Sequence, residues 1–175
     1  SVDWVKRGTD AELGRLRVGH SGLACWDPIT VEALKAFRAS HPQLSIELNA
    51  LTTFQQGRAL EAGRIDVGFQ YPVSREPGLE YMPIRIARRA IAFPHDHPKL
   101  AKRVLSLADL ADEDFVALPH GLAGSGYDAV MSACLAAGFE PRVVQEADSP
   151  ATLLTLVLGG AGITFITSSG AERLP

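Results

Sequence analysis

The sequence predicts an α/β protein made of two Rossmann-like lobes. Two runs of alternating strand and helix patterns support this, one over residues 14–70 and one over residues 115–166. Between them, a Pro- and Gly-bearing stretch and the polar residues 85–89 interrupt the alternation. Strands joined by helical crossovers pair in parallel, so each run predicts part of a doubly wound sheet. We expect the chain to pass from one lobe to the other near residues 85–89.

The first run opens with a strand, a helix and a second strand. Residues 14–20 alternate apolar and polar side chains, as a half-buried strand does. A helix is predicted over residues 28–40, because Asp27 is a favoured N-cap residue and Pro28 suits the first helical position. Residues 44–48 return to the two-residue period of a strand.

A second helix and a third strand complete the first run. Thr53 and Gln56 match a capping box, in which the Thr53 hydroxyl accepts an early helical N–H and Gln56 reaches back. The helix is predicted to end at Gly63, and residues 65–69 follow as a strand. The order is therefore βαβαβ.

The rest of the chain repeats this logic after the interruption. Two strand-like stretches, residues 79–84 and 90–93, flank the polar residues 85–89. The later patterns predict strands over residues 115–118, 142–145 and 163–166 and helices over residues 126–137 and 150–158. Ser125 and Ser149 are the expected N-caps of these two helices.

Composition limits the function classes. The 175 residues carry a net charge of −3 with scattered Lys and Arg, so this segment offers no cationic stripe for nucleic acid. Cys25 and Cys134 lie in apolar sequence without zinc-site spacing, which argues against a disulfide framework and fits a cytoplasmic protein. No stretch is apolar enough for a signal peptide or a membrane span.

Four expected helix N-termini suggest a ligand site. The caps Asp27, Thr53, Ser125 and Ser149 follow strand ends directly or closely. In an open parallel sheet these ends share one edge, where ligands bind. Each N-terminus presents unpaired N–H groups and about half a positive charge, which suits a carboxylate or a phosphate. The alternative for each residue is that it only caps its helix.

Other motifs point to chemistry less strongly. His95 and His97 flank Asp96 as metal ligands can, but the neighbouring prolines suggest a rigid surface turn. Residues 121–126 resemble a nucleotide loop without its Lys-Ser/Thr pair, and we expect a flexible loop before a capped helix. The alternative left open is that its backbone amides line the cleft. No nucleophile with a base and an orienting partner can be assembled. We expect no catalysis, metal or cofactor.

Several segments together resemble the effector domain of LysR-type transcriptional regulators. They are residues 12–19, 34–42 with 46–48, 60–69, 97–98 with 107–110, and 159–165. Their order and spacing over residues 12–169 are specific. The resemblance implies a type 2 periplasmic-binding-protein-like fold, with an effector cleft between the two lobes and no enzymatic activity.

The resemblance also implies domains, site residues and partners. Residues 1–13 would be the remnant of a linker helix, 14–86 lobe I and 87–175 lobe II, with the segment that returns to lobe I beyond residue 175. The effector-binding residues that the resemblance implies are Ser21, Thr53, Pro119, His120 and Gly121. We also expect Gly22, Thr52 and Tyr71 to contact the effector, Tyr71 as part of an apolar wall near a predicted strand end. The expected effector is a small carboxylate, with aromatic acids among the candidates. A winged helix-turn-helix upstream would bind DNA, in a homodimer or homotetramer. The alternative is a transporter's solute-binding protein with the same fold.

Overall fold

Three parallel strands form the first sheet, as the sequence predicts. The computed structural model describes residues 14–70, 77–84, 86 and 88–168. Strands β1 (Arg15–His20), β2 (Ser45–Ala50) and β3 (Val67–Phe69) lie in the order β2-β1-β3. The central strand pairs in parallel with both neighbours. The βαβαβ order of the first run is therefore confirmed.

The first helix has the predicted bounds. Helix α1 (Pro28–Ser40) begins where Oδ1 of Asp27 accepts a hydrogen bond from N of Ile29 at 3.0 Å. Pro28 occupies the first helical position, where its missing N–H costs nothing. Asp27 is buried. Its capping role is confirmed, but a 3-10 helix (Gly22–Trp26) separates it from the end of β1, so Asp27 does not follow the strand end directly.

The second helix corrects the predicted capping box by one residue. In helix α2 (Thr53–Glu61), Oγ1 of Thr52 accepts from N of Gln55 at 3.2 Å, and Oε1 of Gln55 accepts from N of Thr52 at 2.9 Å. Thr53 is the first helical residue and not the cap. Gln56 cannot reach back, because its side chain is fully buried against the sheet.

The strand predicted between the two runs, over residues 79–84, is wrong. Residues 77–84 form no strand with any described part of the chain, although residues 79–84 alternate like one. Met82, Ile84 and Ile86 are 78%, 51% and 92% exposed. A strand needs a neighbour for its N–H and C=O groups, and Pro83 lacks an N–H. The remainder of the predicted hinge, Arg85 and Ala87, lies outside the described residues.

Among the residues that the structure describes, four strands form the second half. Strand β4 (Arg89–Ala92) pairs antiparallel with β7 (Thr164–Thr167), and β5 (Asp114–Ala117) pairs in parallel with β6 (Arg142–Glu146). A parallel bridge between Phe115 and Ile163 connects the two pairs. Helix α5 (Pro150–Leu158) has its predicted bounds and cap, since Oγ of Ser149 accepts from N of Thr152 at 3.2 Å.

The glycine-rich loop is helical, which corrects the expected flexible loop. A short helix α3 (His120–Ala123) closes with a hydrogen bond from N of Gly124 to O of His120 at 2.7 Å. Gly124 has a φ of +53°, which glycine adopts without strain, and turns the chain directly into α4 (Ser125–Ala136). Gly124 is therefore the N-cap of α4, and the predicted cap Ser125 is the first helical residue.

Each half of the described chain has its own buried residues. In the first half, α2 packs on the parallel sheet, and Val18, Ala59 and Ile65 are buried there. In the second half, Leu110, Phe115 and Ile163 form a buried cluster joined by Phe139 and Phe165. Within the residues that the structure describes, no strand of the first sheet pairs with a strand of the second half, and no helix is long and apolar enough to cross a bilayer.

Candidate functional site

The carboxyl ends of the three parallel strands meet at one edge. N of Ser21, just after β1, donates to O of Phe69 at the end of β3 at 3.0 Å. N of Leu51, just after β2, donates to O of His20 at 3.0 Å. Thr52 follows Leu51 and caps α2. The edge therefore brings Ser21 and the N-terminus of α2 close together, as the sequence predicts.

The second half touches this edge through the N-terminus of α5. A Cβ atom placed on Gly22 would lie 2.5 Å from Cγ of Pro150, so only a glycine fits against that proline. Pro150 is the first residue of α5 and follows its cap, Ser149. The predicted residue Gly22 thus lies at a contact between the two halves, and Ser21 precedes it.

A groove runs along α2 where the second half approaches it. Its volume is about 500 Å³. We call it the α2 groove, and its lining residues are Leu51, Thr52, Phe54, Gln55, Arg58, Arg64, Gly121 and Leu122. Two predicted site residues, Thr52 and Gly121, line it from opposite sides. The groove is the described cavity that joins the two halves at the predicted edge.

The other predicted residues take different places. Thr53 is half-buried at the start of α2 and does not line the groove. Pro119 is the N-cap of α3 and His120 its first residue, next to the groove-lining Gly121. The exposed imidazole of His120 pairs with Asp128, with Nε2 3.2 Å from Oδ1. Tyr71 lies outside the described residues.

Two arginines of the groove were not predicted. The guanidinium of Arg58 lies 5.8 Å from the ring centroid of Phe54, a cation–π distance. Neither Arg58 nor Arg64 forms an ion pair with a described carboxylate. The helical spacing of Phe54 and Arg58 was the available signal, since residues four apart share a helix face.

The groove combines positive charge with apolar surface. The Phe54 ring is 65% exposed, and Leu122 faces the groove from the second half. The described lining residues include no carboxylate, histidine or cysteine. The arrangement can hold an anion that has an apolar body, and the lining that the structure describes offers no general acid–base pair.

The His95–His97 motif forms the expected surface turn. N of His97 donates to O of Pro94 at 3.1 Å, and Nδ1 of His97 accepts from N of Lys99 at 3.3 Å. Nε2 of the same ring lies 3.1 Å from Oε2 of Glu113. Both ring nitrogens are therefore occupied, and no metal-sized group of His, Cys, Asp or Glu occurs among the described residues.

Glu113 gives this turn a predicted pH dependence. The hydrogen bond from Nζ of Lys99 is the largest cause holding the pKa of Glu113 below its ordinary 4.5, and His97 adds to it. A depressed folded-state pKa stabilises the protein above pH 4.5, and this contribution is lost as the pH falls below that value. We expect Glu113→Gln to reduce the loss of unfolding free energy between about pH 5 and pH 3. Equal pH slopes for both proteins in urea titrations would contradict this.

Known proteins match the chain over nearly its whole length. The family model described as LysR substrate binding domain matches residues 9–175. The HTH-type transcriptional regulator AlsR of Bacillus subtilis (strain 168) is 28% identical over 171 residues, covering 98% of this chain and 56% of AlsR. The chain thus spans little more than half of this relative's length.

Two solved structures share the fold. Full-length CbnR complexed with target DNA superposes with a TM-score of 0.79 at 29% identity, over 93% of this chain and 57% of CbnR. The BenM effector binding domain with its effector benzoate gives 0.77 at 27% identity, over 93% of this chain and 73% of that domain. The two-lobed, type 2 periplasmic-binding-protein-like fold class is confirmed. The chain belongs to the LysR substrate-binding domain family.

Proposed function

We propose that this chain is the effector-sensing domain of a LysR-type transcriptional regulator and binds a small carboxylate between its lobes. The observation that carries the proposal is the α2 groove, where Arg58 and Arg64 lack carboxylate partners among the described residues and face Gly121 and Leu122 of the second half. The N-terminus of α2 adds its partial positive charge beside Thr52. Benzoate, the effector of the similar BenM domain, has the expected chemistry.

Local donors supply the affinity in this proposal. The net charge of −3 gives no long-range attraction for an anion. Hydrogen bonds to a charged group contribute about 1.5–3 kcal/mol each, so two or three of them with apolar contacts reach a micromolar Kd. Phe54 and Leu122 provide the apolar contacts. An aromatic carboxylate uses both kinds of surface.

The rest of the regulator is proposed from its relatives. AlsR is named as an HTH-type regulator, and CbnR is described in complex with its target DNA. We propose an upstream winged helix-turn-helix that binds DNA, lobes divided near residue 86, a homodimer or homotetramer, and action without catalysis in the cytoplasm. The similarity to AlsR and CbnR favours this proposal over a transporter's solute-binding protein.

A thermal-shift comparison of acids with their amides tests the proposal. Benzoate is expected to raise the melting temperature, because a ligand that binds only the folded state stabilises it. Benzamide has the same ring without the charge and is expected to give a much smaller shift. Equal shifts from the acid and the amide, or no shift from a panel of aromatic and aliphatic acids, would refute the carboxylate proposal.

The two neighbouring threonines should differ in their effects. Thr52→Ala removes the hydroxyl that caps α2 and is expected to cost about 1 kcal/mol of stability. It should also weaken benzoate binding, because Thr52 lines the groove. Thr53→Ala keeps the cap and serves as the matched control. Urea unfolding and calorimetry measure the two effects, and a larger stability loss from Thr53→Ala would contradict the assignment of the cap.

A further inference from the structure

Gln56 is a fully buried amide beneath the ligand-binding edge. Its side chain is 0% exposed, and it lies one turn into α2, whose first N–H groups face that edge. Nε2 of Gln56 donates to O of Leu51 at 3.1 Å and to O of Phe69 at 3.4 Å. The same Phe69 oxygen accepts from N of Ser21 at 3.0 Å. One amide therefore connects α2 to the ends of β2 and β3, and through Phe69 to the residue that follows β1.

Gly68 makes room for this amide, and Gly19 does so in part. A Cβ atom on Gly68 would lie 2.5 Å from Oε1 of Gln56, and one on Gly19 would lie 2.6 Å from Cδ1 of Ile65 and 3.2 Å from Cγ of Gln56. Neither glycine has a positive φ, so their backbone does not require glycine. The requirement is space. Because these glycines have no side chain, the Gln56 amide has room to reach the backbone carbonyl groups at the strand ends.

Packing alone does not require a glutamine at position 56, since an apolar side chain of the same length could fill this space. Oε1 of Gln56 is buried and has no hydrogen-bond partner among the described residues. A buried polar atom without a partner costs free energy, and an apolar side chain of the same length would fill the volume without that cost. The two donated hydrogen bonds, which fix directions between α2 and the strand ends, distinguish glutamine from such a side chain.

We infer that Gln56 is a positioning residue for effector binding, which aligns Thr52 and the N-terminus of α2 with Ser21. The inference rests on the proposed function, because it concerns the same site. Gln56 lines no part of the α2 groove and acts only through the backbone at Leu51 and Phe69. A side chain that only packs would affect stability and leave ligand affinity unchanged in the folded protein.

Gln56→Met tests the inference, because methionine keeps the length and volume and removes both hydrogen bonds. We expect benzoate affinity, measured by calorimetry, to fall at least tenfold while the urea midpoint changes little. The amide NMR signals of Ser21 and of Gln70, whose peptide group includes the Phe69 carbonyl, should shift without ligand. Gly68→Ala, which displaces the amide, should reproduce the affinity loss, and Gly14→Ala, with open space around its Cβ, is the control.

The outcomes separate the inference from the proposed function. Benzoate binding by Gln56→Met within twofold of the unmodified protein would overturn the inference and leave the proposed function intact. If the unmodified protein binds no acid, the proposed function fails. The NMR signals of the backbone amides then test whether Gln56 aligns the strand ends. Unchanged signals of Ser21 and Gln70 in Gln56→Met would overturn that alignment.

Discussion

A double variant, Arg58→Gln with Arg64→Gln, is expected to lose benzoate affinity by about 30-fold or more. Both guanidinium groups line the α2 groove, and neither pairs with a described carboxylate. Two partly solvated charge-assisted hydrogen bonds together contribute about 2 kcal/mol, which corresponds to that factor. Glutamine keeps much of the side-chain length and removes the charge. Calorimetric titration with benzoate measures the loss.

A second double variant controls for net charge. Arg38→Gln with Arg103→Gln removes the same two charges from exposed positions outside the groove. This protein is expected to bind benzoate as the unmodified protein does. Binding of benzamide should be unchanged in both double variants, since the amide carries no charge. Equal losses of benzoate affinity in the two double variants would show that the arginines of the groove have no specific role.

Ile163→Ala is expected to cause a large loss of stability in the second half. Ile163 is 1% exposed in the cluster with Leu110 and Phe115. Its backbone also joins β5, since its N donates to O of Asp114 and its O accepts from N of Val116. Truncating a buried isoleucine to alanine costs about 2–5 kcal/mol, or roughly 10 °C in Tm for a domain of this size.

The chain offers a matched control for this truncation. Ile86 is 92% exposed, so Ile86→Ala removes the same atoms without leaving a cavity. Its unfolding free energy is expected to stay within about 0.5 kcal/mol of the unmodified protein. Urea unfolding followed by circular dichroism compares the two variants. A similar loss in both would contradict the assignment of Ile163 to the core.

Helix starts were predictable where a cap precedes a proline. Asp27 with Pro28 and Ser149 with Pro150 fix the registers of α1 and α5, because proline tolerates the first helical position and disrupts later ones. The start of α2 was not fixed in this way. Two adjacent threonines and two adjacent glutamines fit a capping box in either register. The burial of Gln56 against the sheet, with its hydrogen bonds to Leu51 and to Phe69 on another strand, decides between them.

The arginines of the groove illustrate what local patterns omit. Arg58 follows Phe54 by four residues, so the sequence places both on one helix face. Which face lies opposite Leu122 depends on how residues about sixty positions apart approach each other, and no local pattern encodes this. The same reason explains the error at residues 79–84. Apolar alternation describes the faces of a strand and not the presence of a pairing partner.

Amide NMR during a benzoate titration tests the central claim most directly. We predict saturable shifts at Ser21, Thr52 and Gly121 and at the side-chain signals of Arg58 and Arg64, with smaller shifts from benzamide. The signals of α1 and of the turn at His97, which lie away from the groove, should stay unchanged. Shifts confined to those distant residues, or no saturable shift with any acid of the panel, would contradict an inter-lobe carboxylate site.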